Sequence, residues 1–152
     1  MYQVKRQQIA DAALSLRGVP FRHQGRDITT GVDCVGLLHA MLVKVGYPVI
    51  VDAEAYRRTP PAAVIRETLQ ANFDEIPVSE CGLGDIFLMR VGGVKPRHAS
   101  IIVSMETDIP KGKVPQLIHT RAMANNGKAV VEPIRQWIKF CVYGYRLRGL
   151  ID

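Results

Sequence analysis

Cys34 and the histidines are the side chains whose types could act together in covalent chemistry. The chain has three cysteines (Cys34, Cys81, Cys141) and four histidines (His23, His39, His98, His119). Cys34 follows Asp33 at the start of the apolar run Cys34-Val-Gly-Leu-Leu-His-Ala-Met-Leu-Val-Lys-Val45, which places its thiol in the first turn of a predicted helix. Unpaired backbone N–H groups and the helix dipole favour an anion there, so a lowered thiol pKa is expected. A thiol nucleophile also needs an imidazole, first as ion-pair partner and then as acid for the leaving amine. His98 and His119 fall within predicted strands, where both rings can be held against the helix end. His39 lies five residues past Cys34 and off its face, and His23 lies in the loop before it. Inert packing of the cysteine, structural roles for the histidines, and one Cys with two His as metal ligands stand as alternatives. No acid-rich neighbourhood or short ligand spacing supports the metal reading, and no cofactor or metal is expected. Cys141 sits in the apolar-rich run Ile138-Lys-Phe-Cys-Val-Tyr and reads as a small buried hydrophobe. Cys81, beside Gly82 in a predicted loop, receives no role. An odd cysteine count without a Cys-x-x-Cys pair is neither a closed disulfide framework nor a structural zinc site.

The elements that must position these groups are legible from periodicity. Val4, Ile9, Ala12, Ala13 and Leu16 form one helical stripe over residues 3–17, stopped by Gly18 and Pro20. A polar loop, Arg22-His-Gln-Gly-Arg-Asp-Ile-Thr-Thr-Gly31, ends at Asp33, a good N-cap. The segment 34–45 is apolar nearly all round and closes at Gly46, so it reads as a buried central helix. Thr59-Pro-Pro opens a short helix to about Gln70. Residues 84–89, 98–105, 116–120, 128–132 and 140–148 read as strands, separated by Gly92-Gly93, Pro110-Lys-Gly112 and Asn125-Asn-Gly127. Helices first and strands second predict an α+β fold: N-terminal helices packed on a roughly five-stranded antiparallel sheet, as a single domain over 1–152.

Composition narrows the function classes. The 152 residues are 47% hydrophobic and 22% charged, which suits one globular domain and excludes a disordered chain. No apolar run approaches the ~20 residues of a membrane-spanning helix. The opening Met-Tyr-Gln-Val-Lys-Arg carries charge where a signal peptide would be apolar, so no secretory signal is expected. The net charge of +6 comes from dispersed residues, with Lys5-Arg6 and Arg57-Arg58 as the tight pairs. Without an aromatic-interleaved basic stripe, no nucleic-acid partner is expected.

Five segments in order, Gly18-Val-Pro-Phe-Arg-His-Gln-Gly25, Asp33-Cys34-Val-Gly36-Leu-Leu, Gly84-Asp85-Ile-Phe-Leu, His98-Ala-Ser-Ile-Ile-Val and Leu117-Ile-His119, resemble the NlpC-type cell-wall cysteine peptidases. The resemblance spans about residues 5 to 148. It implies a papain-like α+β fold and cleavage of peptidoglycan stem peptides, typically between D-glutamate and a diamino acid. By motif position, Cys34 would be the nucleophile, His98 the general base and acid, and His119 the orienting third residue. The backbone N–H of Cys34 would help to hold the oxyanion, a role its helix position also suggests. Two residues depart from the family pattern: Phe21 stands for a usual tyrosine whose hydroxyl contacts the site, and Val35 for a usual serine after the nucleophile. Phe21, Arg22, Asp33 and Arg97 are the candidate substrate contacts. Arg22, Arg26, Lys95 and Arg97 flank the site in sequence and offer cations to the free carboxylates of a stem peptide.

The Pro-Phe-Arg-His-Gln-Gly-Arg loop on an unadorned domain is similar to small NlpC-type proteins encoded with bacteriophage tail genes. That resemblance implies a protein made in the host cytoplasm and carried in the virion. Its partners would be other tail-tip proteins, and it would open the wall during genome delivery. The alternative is a structural tail-tip component whose cysteine site is vestigial or directed at a neighbouring protein.

Overall fold

The structure is a computed structural model that describes residues 2–48, 62–93, 95–122 and 127–152. A short strand, β1 (Val4–Lys5), leads into helix α1 (Arg6–Leu14), whose first turn is closed by Gln8 Oε1 accepting from the Lys5 N–H at 2.8 Å. The expected stripe over 3–17 is therefore only partly helical: Val4 is drawn into a strand and Leu16 packs from the turn that follows, both still buried. A small hairpin, β2 (Arg26–Asp27) and β3 (Gly31–Val32), precedes α2 (Cys34–Lys44).

Asp33 caps α2 as its residue type demands, with Oδ1 accepting from the Gly36 N–H at 2.9 Å. At the other end Gly46 turns left-handed at φ +71°, and its N–H and that of Tyr47 return to the carbonyls of Val43 and Leu42. Between the caps Leu37, Leu38, Met41 and Leu42 are all buried, so α2 is the central helix expected. It packs on α1, on the β2–β3 hairpin and on the sheet.

Helix α3 (Ala62–Asn72) runs two residues beyond the expected end, and its expected start at Thr59-Pro-Pro lies outside the described residues. It passes directly into β4 (Phe73–Ile76). Five longer elements follow: β5 (Ile86–Met89), β6 (His98–Ser104), β7 (Gln116–Arg121), β8 (Lys128–Pro133) and β9 (Cys141–Leu147), with β10 (Leu150–Ile151) closing beside β1. The main sheet has six strands, ordered β4-β9-β5-β6-β7-β8, every neighbouring pair antiparallel. The sixth is β4. Four residues with exposed Asp74 and Glu75 following a helix without a break carry no strand signal; pairing of Phe73 with Leu147 at a sheet edge makes the strand.

The two faces of the sheet bury different clusters. One joins the helices through Ile86, Leu88, Ala99, Ile101, Ile118 and Tyr145; the other is a smaller group of Phe87, Met89, Ile102 and Leu117. Trp137 and Phe140, from the 3-10 turns between β8 and β9, cover that smaller group. Asp85, in the Gly84-Asp85 motif, is fully buried. It binds Arg6 at 3.2 Å, Arg146 at 2.9 and 3.1 Å, and the Gly82 N–H at 2.8 Å. The motif thus pins α1 to the sheet, at the end of β5 away from His98.

Candidate active site

Cys34 occupies the first position of α2 and is 5% exposed. Its Sγ lies 3.7 Å from the Arg97 carbonyl oxygen, and the backbone amides of Ala99 and Val35 interact with it. The thiol is thus packed against the chain on both sides of His98. From His98 a line of hydrogen bonds runs along the sheet. Nε2 of His98 is 2.7 Å from Nδ1 of His119, and Nε2 of His119 is 2.7 Å from Oε1 of Glu132. Arg121 Nη1 stands 3.5 Å from that same carboxylate oxygen. Because β7 pairs His119 with Val130, Glu132 sits two residues further along the facing strand and reaches His119 diagonally. The His119 ring is fully buried and meets Trp137 edge-on, with ring centres 4.6 Å apart.

The structure therefore brings Cys34, His98 and His119 into one locality and leaves His39 on the buried helix outside this line of contacts. Glu132 was not foreseen. Its only sequence signal is an acid ending the β-rich run Lys128-Ala-Val-Val-Glu132, and the strand register that aims it is not written locally. Trp137, whose type suits either a groove or a core, backs the His119 ring, and Tyr145 is fully buried.

Protonation differs from the sequence expectation. Burial, with the Asp33 charge adding to it, pushes the Cys34 thiol up to about 12 rather than down. The helix terminus contributes roughly 0.3–1 kcal/mol toward an anion, less than the cost of stripping water from a thiolate. Burial and then the neighbouring His119 and Arg121 lower His98 to about 3. Burial also lowers His119, against the opposing effect of Glu132. Both shifts favour a neutral thiol and a neutral imidazole at rest. With Nε2 of His98 engaged by His119, Nδ1 is the nitrogen left to take a proton.

The flanking candidates divide by burial. Asp33 is 2% exposed and is spent internally: besides Gly36 it accepts from the Gln24 N–H at 3.2 Å and pairs with Arg26 at 3.1 Å. It shapes the loop before Cys34 instead of presenting a carboxylate to solvent. Phe21 is half-buried, tied by its N–H to the Gly127 carbonyl at 2.8 Å. Arg22, Lys95 and Arg97 are exposed, while Arg26 is half-buried on Asp33. Val35 is buried in the helix-side core. Among the described residues no three of His, Cys, Asp and Glu are grouped to hold a metal ion. No helix among them is long and apolar enough to cross a membrane.

A cysteine at a helix start, packed against the backbone flanking a histidine whose ring is bonded to a second histidine, has the residue types that thiol hydrolase chemistry uses. The NlpC/P60 family profile matches residues 18–135, and the chain belongs to that family. Its fold is similar to that of the NlpC/p60 domain of the peptidoglycan hydrolase SagA. That comparison has a TM-score of 0.61 at 17% identity, covering 95% of this chain and 100% of that one. It is also similar to a lipoprotein-like NLP/P60 family protein from Staphylococcus aureus subsp. aureus Mu50. There the TM-score is 0.58 at 22% identity, and this chain, 97% covered, spans 42% of that protein. No curated protein sequence matches significantly.

Proposed function

We propose that this protein is a peptidoglycan hydrolase, a cysteine endopeptidase that cuts stem peptides of the bacterial cell wall. The observation that carries the reading is the placement of the Cys34 thiol against the backbone flanking His98, whose ring is tied through Nε2 to His119. Family membership and the likeness to a domain of a peptidoglycan hydrolase support the substrate class.

The chemistry follows from the neutral pair. Cys34 Sγ attacks the peptide carbonyl carbon while its proton passes to Nδ1 of His98, so charge separates only as the bond forms. The Cys34 N–H, in the first helical turn, donates to the developing oxyanion. Collapse of the tetrahedral species breaks the C–N bond, and the imidazolium returns its proton to the leaving amine. A water, deprotonated by His98, then releases the acyl group from sulfur. Arg22, Lys95 and Arg97, exposed around the site in sequence, supply cations for the free carboxylates of the stem peptide. Water is the acceptor in this reading; another nucleophile in its place would give acyl transfer by the same residues.

We also propose that the protein works from a bacteriophage tail tip, with other tail proteins as partners. The support is the likeness of Pro20-Phe-Arg-His-Gln-Gly-Arg26 and its setting to small tail-associated members. Mass spectrometry of purified virions tests it: absence of the chain from the particle would remove the virion from the proposal. The alternative of a tail component with a silent or covered site is favoured by the 5% exposure of Cys34. Digestion of purified peptidoglycan by the wild-type protein and Cys34→Ala separates the two. Muropeptides cut within the stem, absent for the variant, establish the peptidase and name its bond. No release by either protein favours the silent component.

A further inference from the structure

We propose that Glu132 is a positioning residue that acts through His119 to hold the proton of His98 on Nε2, leaving Nδ1 of His98 free to accept from the Cys34 thiol. The inference rests on Cys34 and His98 being the reacting pair, and it adds a fourth member to the three residues that motif position suggests.

The argument is one of donors and acceptors. An ionised carboxylate can only accept, so the 2.7 Å contact with Glu132 requires a hydrogen on Nε2 of His119. Arg121 Nη1 stands 3.5 Å from the same oxygen, a second donor facing it as an acceptor. A neutral imidazole has one donor and one acceptor, so Nδ1 of His119 must accept. Its partner at 2.7 Å, Nε2 of His98, is then the donor, and Nδ1 of His98 carries the lone pair. Burial lowers both imidazole pKa values, so neither ring becomes an imidazolium at neutral pH and escapes this choice. The Trp137 ring against His119 and the strands carrying each histidine limit ring rotation. Glu132 from β8 and Arg121 from β7 are charged groups in contact with this line, and the Cys34 thiol packs against the backbone on either side of His98.

Without the carboxylate, His119 is free to carry its hydrogen on Nδ1 and donate to His98. The proton of His98 then sits on Nδ1, where it blocks transfer from sulfur. The relay therefore couples an acid on the edge strand to a thiol on the central helix through two rings.

The test uses protein labelled with ¹⁵N-histidine and long-range ¹H–¹⁵N spectra, which report the tautomer of each ring without requiring turnover. Wild type is expected to show both His98 and His119 as Nε2–H. Glu132→Leu, close in bulk but unable to accept, should shift both rings toward Nδ1–H. It should also lower kcat on peptidoglycan by about tenfold or more, with KM within about twofold. Glu132→Gln keeps an acceptor oxygen and should retain the wild-type tautomers, which guards against reading a folding defect as a lost relay. A wild-type spectrum with His98 as Nδ1–H overturns the proposal, as does a Glu132→Leu spectrum identical to wild type. Expected tautomers in a wild-type protein that does not act on peptidoglycan uphold the relay and overturn the proposed function instead.

Discussion

The carbonyl oxygen of Gly25 stands where a β-carbon on Gly36 would have to be. The loop before Cys34 folds so closely over the first turn of α2 that only glycine fits at the fourth position of Asp33-Cys34-Val35-Gly36. Gly25 is itself confined, since a β-carbon there would overlap the Gly31 carbonyl. The loop that shapes the approach to Cys34 is thus wedged on the helix by two residues without side chains.

Gly36→Ala should therefore cost about 1–3 kcal/mol of stability, the range for overpacking a close contact. Urea denaturation checks this. Activity should fall more than stability predicts, because relief of the clash moves the loop away from Cys34.

Asp33→Ala removes the α2 cap and leaves the half-buried Arg26 without its carboxylate. The expected loss is roughly 2–4 kcal/mol. Asp33→Asn keeps a capping oxygen and should recover much of the stability. Because the Asp33 charge raises the Cys34 pKa, the asparagine variant should also lower it. The pH dependence of iodoacetamide alkylation, followed by peptide mass spectrometry, reads the direction.

Wild-type Cys34 should be alkylated slowly at pH 7, since its thiol is held at about 12 and is 5% exposed. An alkylation midpoint below the ordinary thiol value would show a preformed thiolate and contradict the neutral pair.

Acidification should destabilise the fold through His98. Its folded-state pKa is lowered from 6.5 to about 3, so between these values the unfolded chain binds the extra proton. The stabilising contribution is complete above about pH 6.5 and is lost as pH falls toward 3. Thermal melts across that window should show a steeper decline for wild type than for His98→Gln.

Asp85→Ala removes the buried carboxylate that Arg6 and Arg146 share, leaving them their other acceptors, and should cost about 2–4 kcal/mol, discounted because both guanidinium groups are partly exposed. Chemical denaturation tests it. The effect lies in the scaffold, so residual activity per folded molecule should remain.

What the sequence determined by itself was local. Asp33 and Gly46 mark the ends of α2 because caps act within one turn, and the apolar residues between them require burial on every side. β-Rich runs between turn signals marked the five longer strands to within a few residues, and motif order singled out Cys34, His98 and His119 as candidates. Tertiary structure decided what depends on residues far apart in the chain. Phe73–Ile76 became a strand only because β9 offered an unpaired edge. Glu132 met His119 only because the β7–β8 register aims it there. Burial pushes the thiol pKa up against the pull of the helix terminus, and burial is a property of everything packed around Cys34, not of its neighbours in sequence.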